Sequence, residues 1–193
     1  MNDDAINTAF LSARSFAFWQ DRKVPEDTLR RLYDIARMAP TSTNTNPGRF
    51  VFLTTPESKA RVLPHLWEAN RPKVAAAPVT VIVAWDRRFH DHVPDLFIHR
   101  PEVAATFADD PAYAEETAFR NSAMQGAYMI IAARMMGLDC GPLSGFDTAA
   151  VDAEFFPDGD WRTNFMINLG YGDRSQLFPR LPRLDFDTAC RVL

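Results

Sequence analysis

The spacing of apolar residues predicts three helices. A first helix is expected over residues 3–13 and a clearer one over residues 26–39, where apolar side chains recur every three or four positions and share one face. The longest candidate spans residues 112–136, and Gly137 suits its C-terminal cap. The second half of this helix is apolar on most sides, which is typical of a helix at the domain centre or at a subunit interface.

Continuous apolar runs predict strands over residues 49–54, 78–85 and 163–169. The run at 78–85 has almost no polar interruption, which indicates a strand buried on both faces. We therefore expect a sheet with helices on both sides.

Cap and turn residues define the connecting segments. A helix is expected from a cap at Thr55 to about Glu68, and a short one over residues 147–155 with its first residue as the cap. The glycines and proline of residues 141–145 predict a tight loop. From residue 86 to residue 110 the pattern breaks, so we expect an irregular excursion with room for a short helix, of a length that usually carries function or is mobile.

Composition narrows the class of protein. The chain has 193 residues, 47% of them hydrophobic, which suits one globular domain over residues 1–193. No apolar run is long enough to span a bilayer, and the acidic residues 1–4 do not resemble a secretory signal. The two cysteines, Cys140 and Cys190, are too few for a disulfide framework and favour a reducing cytoplasm. A net charge of −4 with scattered basic residues disfavours nucleic-acid binding.

The most informative segment is the polar loop Pro40-Thr-Ser-Thr-Asn-Thr-Asn-Pro47, between a predicted helix and a predicted strand. Its hydroxyls and amides each donate and accept hydrogen bonds, so they can bind a polar ligand without adding charge. They can equally satisfy the loop's own backbone through side-chain turns. Both interpretations remain open.

Three further stretches are candidates for the same site. Asn70 with Lys73 offers an amide and a positive charge, and residues 141–145 offer backbone N–H groups that a ligand can approach closely. Arginines near both chain ends can bind phosphate through a planar donor fork. Each stretch also has an ordinary structural explanation. Together they suggest a ligand with an anionic end and a flat polar end, such as flavin mononucleotide (FMN) or another nucleotide.

A metal site is the main alternative. Imidazole and carboxylate groups suit zinc. The candidates lie within ten residues of one another and are His90, His92, Asp95 and His99. A His-x-His pair without a second ligand cluster is a weak signal, so metal binding is the less favoured interpretation.

Several motifs, in order along nearly the whole chain, resemble the FMN-dependent nitroreductase family, and in particular its short subgroup that includes a malonic semialdehyde reductase. The motifs are Pro40-Thr-Ser-Thr-Asn44 with Asn46-Pro47, Glu115-Glu-Thr-Ala-Phe-Arg-Asn-Ser122, Gly137-Leu-Asp-Cys-Gly-Pro-Leu-Ser-Gly-Phe-Asp147, Leu169-Gly-Tyr-Gly-Asp173 and Arg180-Leu-Pro-Arg183. The resemblance implies an α+β fold with a mainly antiparallel or mixed sheet flanked by helices. It also implies an intertwined homodimer with FMN at the interface.

The resemblance assigns roles position by position. The phosphate would be bound by Arg14, Ser15, Arg180 and Arg183. The flavin and its ribityl chain would be lined by Thr41, Ser42 and Asn44, and the pyrimidine edge of the ring addressed by Asn70 and Lys73. The loop whose backbone N–H groups face flavin N5 and O4 in the family is matched by Pro142, Leu143, Ser144 and Gly145.

Two positions depart from the family pattern. The family often has basic residues on either side of the serine near the N-terminus, whereas this chain has Ala13 and Ala17 there. Either the affinity for the phosphate is weaker or Arg14 compensates. Some nitroreductases carry glutamate where this chain has Ser144.

The resemblance implies a ping-pong oxidoreductase that uses NAD(P)H to reduce a small acceptor, with malonic semialdehyde (3-oxopropanoate) giving 3-hydroxypropanoate as the leading candidate and nitroaromatics as others. Lys73 would stabilise negative charge on the reduced flavin. The acceptor's carboxylate would need a cation, for which Arg71, Arg100 and Arg120 are candidates. A flavin-binding module without turnover and a redox role for Cys140 are less favoured alternatives.

Overall fold

The computed structural model describes residues 3–193. The acidic segment 1–4, which we expect not to be a secretory signal, therefore lies half outside the described residues. Within this range an antiparallel sheet of four strands forms in the order β1-β2-β4-β3. The strands are β1 Gly48–Leu53, β2 Val79–Asp86, β3 Asp139–Leu143 and β4 Trp161–Gly170.

Helices surround this sheet. They are α1 Asp3–Ile6, α2 Glu26–Ala36, α3 Pro56–Val62, α4 Arg71–Ala76, α5 Val93–Leu96, α6 Val103–Asp109, α7 Pro111–Met135, α8 Thr148–Phe155 and α9 Phe186–Ala189. Helix α1 continues into one π-helical turn, Asn7–Leu11. Gly137 follows α7 with φ +81°, a left-handed conformation that favours glycine at a helix end.

Strand β2 shows that both faces of the sheet are covered, because side chains on both of its faces are buried. Val81 and its like-facing neighbours pack with α2 and α7, whereas Ile82 and Ala84 pack with residues of α3, α4 and α8. Alternation along one strand therefore divides the core in two. The predicted α+β class, with an antiparallel sheet flanked by helices, is confirmed.

Two predicted helices end earlier than expected. Helix α2 stops at Ala36, and Met38 N and Ala39 N then donate to carbonyls only three residues back, which tightens the chain before Pro40. Helix α3 stops at Val62 rather than near Glu68, because Pro64 has no N–H to continue the helical hydrogen bonds.

The loop predicted over residues 141–145 is wrong in its first half, since residues 141–143 belong to β3. Strand β3 lies at an edge of the sheet, where a proline without a backbone N–H is tolerated. The excursion at residues 86–110 is also more regular than expected and contains α5 and α6. Helices of four and seven residues are too short to show a clear apolar period.

Over residues 3–193, none of the helices has both the length and the hydropathy needed to cross a lipid bilayer.

Candidate functional site

A cavity of about 700 Å³ lies between the two ends of the chain. Its walls include Arg14, Ser15, Arg180 and Arg183, the residues expected to meet a phosphate. We call this space the arginine cavity. Residues more than 160 positions apart in the sequence thus lie on one concave surface.

Over residues 3–193, the arginines Arg14, Arg180 and Arg183 form no direct ion pair with a carboxylate. Arg14 donates to the carbonyl oxygen of Phe178, and Arg180 donates to those of Leu11 (2.6 Å) and Ala13 (2.9 Å). Asp173 also lines the cavity, but its carboxylate accepts from the N–H and hydroxyl of Ser175. Backbone carbonyls orient a guanidinium without neutralising it, so the cavity suits an anion.

A second group of residues forms where β3 ends. Asn70 Nδ2 donates to the carbonyl oxygen of Gly145 (3.1 Å), and Lys73 Nζ donates to Asn70 Oδ1 (3.3 Å). Trp67 N donates to the same Gly145 carbonyl at 3.0 Å. We call Trp67, Asn70, Lys73 and Gly145 the Gly145 cluster. In this cluster, residues of the stretches 70–73 and 141–145 lie in direct contact.

Close packing makes glycine necessary in this cluster. A Cβ atom at residue 145 would lie 2.4 Å from Asn70 Nδ2 and 2.8 Å from a ring carbon of Trp67. Both distances are shorter than the contacts that a real Cβ atom makes. Only glycine therefore lets the backbone at residue 145 lie this close to Asn70 and Trp67.

Strand β3 connects the arginine cavity to the Gly145 cluster. Ser15 forms a parallel bridge with Cys140, and Phe16 N donates to the Cys140 carbonyl at 2.9 Å. Gly145 follows Cys140 by five residues, roughly 16 Å of extended chain. The two regions therefore lie at the two ends of one short edge strand.

The polar loop at residues 40–47 is tied to the excursion and to α7. Ser42 N donates to Asn121 Oδ1 (2.9 Å), and Asn44 Nδ2 donates to the Leu96 carbonyl (2.8 Å). Thr41 Oγ1 accepts from Asn46 N, so the loop partly satisfies its own backbone. Thr43, Asn44 and Asn46 have left-handed φ values of +46°, +53° and +43°, which store strain that turn-forming asparagine tolerates better than threonine.

Two hydroxyls of this loop, those of Thr43 and Thr45, are shielded from solvent and find no hydrogen-bond partner within residues 3–193. Buried polar atoms are normally paired, so this loop combines strain with unsatisfied groups. Such a combination is typical of functional segments.

Sheet topology separates this loop from the Gly145 cluster within one chain. The loop leads into β1, whereas Gly145 follows β3, and these strands form opposite edges of the sheet. Three strand spacings, roughly 14 Å, lie between the two edges. Within one chain, the predicted site residues therefore form two separate groups. One is the polar loop at residues 40–47, and the other is the arginine cavity with the Gly145 cluster along β3.

Two residues that the sequence did not single out also line these regions. Trp67 belongs to the Gly145 cluster with 67% of its surface exposed, and Arg134 of α7 lines the arginine cavity. Arg134 had a detectable signal: it is the one charged residue between Arg120 and Asp139 in the sequence. A single charge in an apolar stretch of helix is unfavourable without a polar partner, and this signal could have singled out Arg134.

The three candidate cations for an acceptor differ in their partners. Arg100 Nε donates to Glu102 (3.0 Å), and Arg120 donates to Glu116, so both are neutralised by carboxylates. Among the described residues, Arg71 donates to backbone carbonyls alone, those of Leu66 (3.0 Å) and Pro64 (3.4 Å). It also follows Asn70 directly, which places it beside the Gly145 cluster.

The candidates for metal binding and redox chemistry find no support. Among residues 3–193 no group of three or more His, Cys, Asp or Glu side chains could hold a metal ion. His92 instead lies 3.9 Å from Asp86, and His90 lies 3.7 Å from Asp91. Cys140 is buried in the core, and burial raises the pKa of its thiol to about 12, so the nucleophilic thiolate does not form near neutral pH.

Comparison with known proteins adds an independent finding. Residues 12–171 match the model of the nitroreductase family. A provisionally named NADH dehydrogenase/NAD(P)H nitroreductase from Rhodopseudomonas palustris (strain TIE-1) is 53% identical over 191 residues, which cover 99% of this chain and 97% of that protein.

Two solved structures share the fold. A provisionally named nitroreductase from Exiguobacterium sibiricum 255-15, in complex with FMN, has a TM-score of 0.87 at 17% identity, covering 96% of this chain and 95% of that one. The nitroreductase family protein from Streptococcus pneumoniae TIGR4 has a TM-score of 0.82 at 19% identity, with both chains fully covered. At these identities the likeness establishes the fold.

Proposed function

The chain belongs to the nitroreductase family, and on that premise we propose that it is an FMN-dependent oxidoreductase that uses NAD(P)H to reduce a small organic acceptor. The observation that carries the proposal is the pairing of the arginine cavity with the Gly145 cluster along β3. An anion-binding end and a rigid polar end, roughly 16 Å apart, suit a phosphorylated flavin. The relatives' names point the same way, toward NAD(P)H and FMN.

The residues present fit FMN. Arg14, Arg180 and Arg183 would bind its phosphate, helped by the exposed hydroxyl of Ser15. Asn70 and Lys73 would address the pyrimidine edge of the ring, and the backbone from Pro142 through Leu143 and Ser144 to Gly145 would face its reactive edge. Bound FMN would supply the redox chemistry by accepting hydride from NAD(P)H and passing the reducing equivalents to an acceptor.

The chain's own contribution is orientation and charge. Lys73 Nζ donates to Asn70 Oδ1, and Asn70 Nδ2 in turn donates to the Gly145 carbonyl, so the amide fixes the direction of the ammonium. A fixed positive charge stabilises negative charge that develops during reduction more effectively than water does, because it needs no reorganisation.

We propose that Thr41, Ser42 and Asn44 reach this site from a second copy of the chain. The proposal is supported by the position of their loop at the sheet edge opposite β3. It is also supported by apolar side chains left exposed on one chain, including Met124 and Tyr128 on α7 and Phe178 and Leu181 near the C-terminus. Large apolar side chains exposed in this number are consistent with an interface.

For the acceptor we propose a small aldehyde acid, with malonic semialdehyde reduced to 3-hydroxypropanoate. The observation in its favour is the carboxylate-free positive charge of Arg71 next to Asn70. A guanidinium in that position can bind an acceptor's carboxylate.

The test is steady-state oxidation of NADH and of NADPH by FMN-loaded protein, with malonic semialdehyde and a nitroaromatic as separate acceptors. The proposal predicts acceptor-dependent turnover with parallel double-reciprocal lines and a higher kcat/KM for malonic semialdehyde. Turnover with the nitroaromatic alone would support the FMN oxidoreductase activity and would overturn the aldehyde acid as the acceptor. An FMN-loaded protein with no turnover would indicate a flavin-binding module.

A further inference from the structure

Arg134 is the strongest feature that the proposed function does not use. It lies near the end of α7 and lines the arginine cavity together with Arg14, Arg180, Arg183 and the carboxylate of Asp173. A second, smaller cavity is also lined by Arg134, together with Asp139 and Arg174, which pair with each other at 3.4 Å. Arg134 therefore lines two polar spaces near the C-terminal end of α7.

The hydrogen bonding of Arg134 is incomplete. Its Nη1 donates to the Ala9 carbonyl at 3.0 Å, but its Nε is shielded from solvent and has no partner. Over residues 3–193 its guanidinium forms no ion pair with a carboxylate. A charged donor withdrawn from water is unfavourable without an acceptor, so an anion bound next to this guanidinium would stabilise it.

Part of the wall of the arginine cavity carries no charge. Ala13 and Ala17 line it on either side of Ser15. Arg134 lines the same cavity from a different element, helix α7. It therefore adds a positive charge that the N-terminal segment does not supply at these two positions.

We propose that Arg134 binds the flavin phosphate and supplies positive charge that the cavity wall does not have at Ala13 and Ala17. The inference rests on the proposed function, because it assigns a residue to the phosphate of the same cofactor. It makes Arg134 a specificity-determining residue: its guanidinium distinguishes FMN from riboflavin, which lacks the phosphate.

The experiment compares FMN and riboflavin as ligands of the full-length apoprotein by equilibrium titration. Arg134→Gln is expected to weaken FMN binding about 10- to 100-fold, the usual contribution of a charge-assisted hydrogen bond, and to change riboflavin affinity less than about twofold. Arg37→Gln, an exposed arginine paired only with Asp34, serves as the control and should change neither affinity. Adding Ala17→Lys to Arg134→Gln should restore part of the FMN affinity.

The two ligands separate a phosphate contact from a structural role. Equal weakening of FMN and riboflavin would mean that Arg134 only anchors the N-terminal segment through Ala9, and it would overturn the inference. Unchanged FMN affinity in Arg134→Gln would overturn it as well. Wild-type protein with no affinity for FMN would instead overturn the proposed function, and this inference with it.

Discussion

The arginine cavity and the Gly145 cluster are built in opposite ways. The cavity is formed by the two chain ends, and its guanidiniums are held by backbone carbonyls at a partly exposed surface. The Gly145 cluster is formed in the middle of the chain, where a buried glycine, an amide and an indole are in such close contact that no Cβ fits.

This difference predicts how each region responds to change. Several arginines contribute to binding an anion in the cavity, so the loss of one arginine should weaken anion binding by a limited factor. A close-packed cluster has no such redundancy, because a shift of about 1 Å can cost roughly 100-fold in activity. Substitutions in the two regions therefore separate electrostatic from steric control.

The largest effect is expected for Gly145→Ala. The added methyl group would overlap Asn70 Nδ2 and displace Asn70 and Trp67. We expect about 1–3 kcal/mol lower stability and a loss of FMN affinity of roughly 100-fold or more, measured by thermal unfolding and by titration. Gly159→Ala is the control, since φ at Gly159 is +79° and no atom lies near its Cβ position, so the variant is strained without touching the cluster. Equal FMN affinity in both variants would contradict a steric role.

A smaller effect is expected for Lys73→Ala. Removing this charge should slow reduction of bound flavin by NAD(P)H about 10- to 100-fold, because charge developing on the ring loses a fixed partner. Stopped-flow measurement at saturating NAD(P)H tests this directly. Lys73→Arg should retain part of the rate, and Lys23→Ala at the surface all of it. A wild-type rate in Lys73→Ala would remove the electrostatic role.

Arg71→Gln should act on the acceptor alone. Its KM for malonic semialdehyde is expected to rise about tenfold, while the KM for an uncharged nitroaromatic stays the same, because only the former has a carboxylate to bind. Arg100→Gln and Arg120→Gln should leave both values near wild type, since Glu102 and Glu116 already neutralise these arginines. A uniform rise for both acceptors in Arg71→Gln would instead mean that the substitution disturbs Leu66 and the nearby cluster.

The smallest effect is expected at Cys140, which lies on the strand that joins the two regions. Because burial raises the pKa of its thiol to about 12, the folded protein should leave Cys140 unmodified by a thiol reagent at pH 8, and the denatured protein should label it. Peptide mass mapping distinguishes Cys140 from Cys190. Rapid labelling of Cys140 in the folded state would show that β3 opens readily.

The sequence predicted the parts of the fold that follow a long, unbroken pattern. Strand β2 was recognisable because burial on both faces requires apolar residues at nearly every position. Helix α7 was recognisable from the length of its pattern and from Gly137 at its end. Residues 141–143 were not, since glycine and proline usually indicate a turn, and only the position of β3 at a sheet edge makes proline acceptable there.

Within the candidate site, the sequence predicted residue types but not their arrangement. The meeting of Asn70 with Gly145 depends on a backbone contact that no spacing rule encodes. Arg134 was overlooked because the apolar pattern of a helix does not report which of its residues line a cavity formed by distant segments. The separation of residues 41–44 from β3 likewise follows from strand order, which is a property of the whole sheet.

The most direct test of the central claim is titration of the wild-type apoprotein with FMN, with riboflavin as the second ligand. The account predicts one FMN bound per chain, with an affinity for FMN well above that for riboflavin because the arginines bind the phosphate. Absence of FMN binding, or equal affinity for the two flavins, would contradict it.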